Sequence, residues 1–152
     1  PIPSSSPKVL ASLRSLALFT LPFGASVAWG FFIYQLSPDP NAPGAGSSAL
    51  GSLPRPDLFV HLGLYWLFSL LLIWTVLPCR IWRPLTLALR TGLPITLASV
   101  FGIAMELVQD SIPERSASVD DAVADILGAI SAVIFVFVIR RVLHLGRPRS
   151  TS

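Results

Sequence analysis

The chain has 152 residues, of which 53% are hydrophobic and only 12% charged, and its mean hydropathy is +0.70. That balance excludes an ordinary soluble domain and predicts an all-α integral membrane protein, a four-helix bundle whose spans each need roughly 20 apolar residues. The net charge of +3 does not make a nucleic-acid-binding protein, because the eleven Lys and Arg residues are spread over short segments with no compact, aromatic-interleaved basic patch.

In chain order, a tail over 1–15 leads into a first span at 16–36, which is expected to stay as an anchor and not to be cleaved as a signal peptide. The segment 37–56 reads SPDPNAPGAGSSALGSLPRP; Pro, Gly, Ser and Ala leave little large apolar surface to bury, so it is expected to be a loop and not a second domain. Further spans are predicted at 57–77, 93–110 and 121–139, within a transmembrane domain covering 16–140, and a basic tail occupies 141–152. Pro22 and Pro94 are expected near helix starts, with a kink at Pro22 as the alternative. Trp29, Tyr34, Tyr65, Trp66, Trp74 and Trp82 read as interfacial anchors or lipid contacts. Cys79 is the single cysteine, so an internal disulfide is excluded and no thiol-rich metal site is expected.

Charge placement predicts the orientation. Lys8, Arg14, Arg80, Arg83, Arg90, Arg140, Arg141, Arg147 and Arg149 fall on one side of a four-pass chain, against Arg55 and Arg115 on the other. By the positive-inside rule both termini are cytoplasmic, and the inner basic residues meet anionic lipid headgroups at about 1 kcal/mol each. All eight acids lie in the outer loops or at the outer helix ends. The bundle is therefore expected to be acidic at one mouth and basic at the other.

Several acids and a histidine fall inside the apolar segments, where an ionised group costs roughly 2.5 to 3.5 kcal/mol at the bilayer centre. Such groups face a protein interior. In the second span Asp57 and His61 are four residues apart and share a face, so Asp57 is a candidate to orient the imidazole; the alternative makes Asp57 a helix cap and leaves His61 bonded to a neighbouring carbonyl. The third span carries Ser99, Gly102, Glu106 and Asp110 on one stripe with Gln109 beside it, small in the middle and polar at the outer end. The fourth carries Asp121, Asp125, Gly128 and Ala132 along one side, with Asp120 read as a cap or a solvated surface acid. The loop between the two brings Arg115 over the mouth as a counter-charge for Glu106 or Asp121.

This order of motifs, Asp57 and His61, then Glu106-Leu107-Val108-Gln109, then Pro113 and Arg115, then Asp121 with a polar residue four positions later and Leu127-Gly128-Ala129, resembles the VanZ-like family, whose motifs read D-K-x-x-H, E-x-x-Q, P-G-R and D-x-x-x-N-x-x-G. The likeness runs from Asp57 to Ala132, about half of the chain. Leu58 stands where the family has lysine, Glu114 where it has glycine and Asp125 where it has asparagine, which makes this cluster more acidic than the pattern. The resemblance implies a small polytopic protein of a bacterial plasma membrane, and a namesake linked to teicoplanin resistance. It carries no agreed reaction. Its polar positions fall on Asp57, His61, Glu106, Gln109, Arg115, Asp121 and Asp125.

Three functions stay open at this level. The leading expectation is a non-enzymatic accessory or structural subunit of a larger membrane assembly, with protein partners and lipids around it and the polar cluster fixing helix register. A second is an outer-leaflet binding site for a lipid headgroup, a cell-envelope molecule or a cation, the acid excess favouring a cationic occupant. The third is an intramembrane enzyme or metal site, with Asp57 and His61 as a base dyad or with His61, Glu106, Asp121 and Asp125 as the ligands. HExxH spacing, a GxSxG elbow and a cysteine nucleophile are missing, so catalysis is not expected. No cofactor is expected beyond a bound lipid.

Overall fold

A computed structural model describes residues 7–39, 55–78, 85–113 and 116–145, with side chains described from 16 to 143. Four helices account for almost all of them: α1 (Pro7–Leu36), α2 (Pro56–Val76), α3 (Leu87–Asp110) and α4 (Val119–Leu145). No strand occurs among the described residues. All four helices are long and apolar enough to cross a membrane. Each is apolar around most of its circumference, leaving Leu21, Phe31, Leu107 and Ile134 more than half exposed, which suits hydrocarbon and not water.

Three of the four helices outrun the predicted spans, while α2 matches its span to within one residue. α1 begins at Pro7, within the expected tail; α3 begins at Leu87, six residues before 93; and α4 runs on to Leu145, six residues beyond 139. Hydropathy marks only the stretch matched to hydrocarbon, whereas the i to i−4 hydrogen bonds continue through the boundary turns that carry Arg90, Arg140 and Arg141. Pro94 consequently lies eight residues into α3, buried, and not at a helix start. Pro22 likewise sits inside α1. Residues 40–54 of the predicted outer loop, 1–6 and 146–152 of the two tails, Cys79, Trp82 and Arg115 lie outside the described residues.

α2 is the central helix and packs on all three others, most extensively on α4; α3 also packs on α4. The α2–α4 seam is close because its residues are small. A Cβ on Gly128 would lie 2.4 Å from the Leu62 carbonyl oxygen and 3.0 Å from the Trp66 nitrogen, so only glycine lets the two backbones meet there. Ala129 and Ala132 are fully buried along the same seam, and Ser69 Oγ donates to the Ala129 carbonyl at 3.1 Å. α1 is joined to α2 by Trp29 Nε1, which donates to the Leu64 carbonyl at 3.0 Å, and by Ser26 Oγ, 3.5 Å from Thr75 Oγ1.

The aromatic residues divide. Trp74 and Tyr34 are exposed to the surroundings, as anchors or lipid contacts should be. Tyr65 is 1% exposed, at the centre of a core with Phe68, Ala98, Met105 and Ala129, and so is neither an anchor nor a lipid contact. Trp66 packs edge-on against Phe135. Depth along α2 alone suggests an interfacial position for Tyr65, but its rotation about α2 turns it to the side that α3 and α4 cover.

Candidate functional site

Successive helices run in opposite directions, so the start of α2, the end of α3 and the start of α4 share one end of the bundle. His61 is the sixth residue of α2, Glu106 lies four residues before the end of α3, and Asp121 and Asp125 are the third and seventh residues of α4. At about 1.5 Å per residue all four side chains originate within roughly 10 Å of a helix end. They lie near one end of the bundle.

His61 is tied to α4. The Asp125 carboxylate, 1% exposed, accepts from His61 Nδ1 at 3.0 Å, and Glu106 Oε1 stands 3.9 Å from the same nitrogen. The expectation that Asp57 orients His61 gives way to a different pairing: the ion pair of Asp57 is with Arg55, at 3.9 Å. Four-residue spacing puts Asp57 and His61 on one face of α2, but Asp57 sits in the first turn, 33% exposed beside Arg55, while the ring turns inward to α4. Arg55 also donates to Asp120 at 2.5 Å, and this hydrogen bond raises the guanidinium pKa above its ordinary value. The exposed Asp120 is therefore an ion-pair partner at the rim.

The α3–α4 connection explains how the remaining acids reach the cluster. Ser118 is the N-cap of α4: its Oγ accepts from the Asp121 N–H at 3.2 Å, and its carbonyl accepts from the Ala122 N–H. In a capping box the acid at the third helical position would reach back to the N-cap N–H. Here Glu106, from another helix, takes that donor, its Oε2 accepting from the Ser118 N–H at 2.9 Å. Asp110 takes the preceding one, from Ala117, at 3.2 Å. The Asp121 side chain is thereby released from capping, and its Oδ1 is buried without a hydrogen-bond partner.

One ligand atom from each of His61, Glu106 and Asp121 lies within 4.8 Å of the other two. Asp125 stands outside this trio as the partner of His61, so three of the four sequence-derived metal candidates converge and the fourth supports one of them. Gln109 is buried on α3, three residues beyond Glu106. Gly102 closes the floor: a Cβ there would lie 2.6 Å from Asp125 Oδ2 and 3.1 Å from Tyr65 Cε1. Tyr65, Gly102 and Asp125 thus bring α2, α3 and α4 to one point. Sequence reasoning missed Ser118 and Tyr65. The signals were present, Ser118 three residues before an acid at a helix start and Tyr65 one turn after His61.

The electrostatics are one-sided. Three carboxylates face one imidazole, so a protonated His61 still leaves an excess of two negative charges, which the positive end of the α4 dipole offsets by about half a charge. Arg55 at the same end is engaged at the rim by Asp57 and Asp120. Comparison with family models, curated proteins and solved structures finds no match.

Proposed function

We propose that the protein is a VanZ-like integral membrane protein of a bacterial plasma membrane, with both termini cytoplasmic, that works by binding a positively charged group at its acidic mouth. The observation that carries this reading is the convergence of His61, Glu106 and Asp121 with Asp125 behind the imidazole, since buried carboxylates of this number need protons or a cation to offset them. The resemblance in motif order from Asp57 to Ala132 supports the family part of the reading, and the distribution of Lys and Arg supports the orientation.

Native mass spectrometry of protein purified in mild detergent tests the proposal. The wild type should retain a cation or an amine-headgroup lipid that Glu106→Gln and His61→Ala lose. Arg115→Glu should leave that occupant in place or tighten it, whereas an anionic ligand would be lost. Identical retention by all the variants would overturn the reading.

A second reading, the accessory subunit of a larger assembly, draws on α1. That helix packs mainly on α2 and leaves Leu21, Val27 and Phe31 more than half exposed, an apolar surface suited to lipid or to another membrane helix. A stoichiometric protein partner that co-purifies with wild type, His61→Ala and Glu106→Ala alike would establish it.

A further inference from the structure

We infer that the acidic mouth is a divalent metal site, with His61, Glu106 and Asp121 as the protein ligands and Asp125 as the positioning residue that holds the imidazole. The inference rests on the binding reading above and narrows its occupant to a metal ion. The donor set is one imidazole nitrogen and two carboxylate oxygens from three different helices, mutually within 4.8 Å. Three protein ligands leave open positions for water, and a mixed nitrogen and oxygen set suits Mn²⁺ or Zn²⁺ better than softer ions. With a neutral imidazole the two ligating carboxylates carry the charge that a divalent cation neutralises. Asp125 on His61 is the carboxylate–histidine support that metal-ligating histidines commonly have.

Two further atoms point to an occupant and away from a finished structural network. The Tyr65 hydroxyl belongs to a side chain 1% exposed and has no hydrogen-bond partner. Tyr65 lies one turn after His61 on the same face, and helix side chains lean toward the N-terminus, which carries the phenol toward the cluster; its ring edge borders Gly102 beside Asp125 Oδ2. Asp121 Oδ1 is the second, buried and unpartnered because Glu106 has replaced it at the α4 cap. Leaving a buried acceptor unsatisfied is unfavourable, and a bound ion removes that penalty.

The test is metal binding by the full chain purified in detergent, stripped with chelator and titrated with Mn²⁺ alone or Zn²⁺ alone. Mn²⁺ is followed by the loss of its free electron paramagnetic resonance signal, and Zn²⁺ by elemental analysis after dialysis. One ion per chain is expected, accompanied by a rise in melting temperature. Asp121→Asn and Glu106→Gln, near-isosteric replacements, should weaken binding at least tenfold, while Asp57→Asn and Asp110→Asn leave it unchanged. A melting temperature near that of the chelated wild type shows that a variant is folded. Failure of the folded wild type to bind either ion, or equal binding by Asp121→Asn, overturns the metal assignment. If an amine-headgroup lipid is nevertheless retained through Glu106, the broader reading stands without the metal; if it too is lost, both fall.

Discussion

The two ends of α2 are built on opposite terms. At its start, α2, α3 and α4 meet through glycine, alanine and buried polar groups, and α3 donates a carboxylate to cap α4. Toward its finish, α1, α2 and α4 diverge around an apolar cleft of about 710 Å³ lined by Leu18, Leu21, Leu71, Trp74 and Phe135, with Arg140 at the rim. The difference shows what fixes helix positions in a membrane. Apolar side chains gain little by exchanging lipid for one another, so the Leu- and Phe-lined end stays open, whereas close backbone approach and interhelical hydrogen bonds hold the polar end together.

Substitutions at each end sharpen this contrast. The largest effect is expected from Gly128→Leu, because any Cβ there meets backbone atoms of α2 at 2.4 and 3.0 Å, and those atoms can move only with the helix. A cost of about 3 kcal/mol or more follows from overpacking, read as a large fall in the thermal midpoint in detergent. Asp125→Ala comes next. It strips His61 of its partner and opens the floor beneath Gly102, for about 2 kcal/mol, and a midpoint unchanged from wild type would show that the hydrogen bond between α2 and α4 holds nothing. Leu71→Ala in the cleft should cost least, under about 1 kcal/mol, since the side chain already borders open space. If Leu71→Ala were as damaging as Asp125→Ala, the cleft would be a packed interface and the contrast between the two ends would fail.

Much of the polar end is legible in the sequence. The stripe of Asp121, Asp125, Gly128 and Ala132 does lie on one side of α4, against α2, because a 3.6-residue period fixes which residues share a face whatever surrounds the helix. Gly102 and Glu106 fall together on α3 for the same reason, and both are buried. The pairings across helices were not legible. His61 joins Asp125 and not Asp57, although Asp57 is closer in sequence and on the same face. Glu106 acts as a cap, which nothing in its own helix announces.

The sequence by itself determined four spans, the end of the bundle at which the acids gather and the small-residue stripes along which helices close, since each follows from hydropathy and helical period alone. Only the tertiary structure decided the rotation and depth of each helix against its neighbours, and therefore that Asp125 holds the imidazole, that Asp121 is released from its cap and that Tyr65 is buried. Those outcomes depend on how near two backbones approach. At Gly128 and Gly102 that distance is set by a missing side chain together with its counterpart on another helix, and no single segment of the chain contains both.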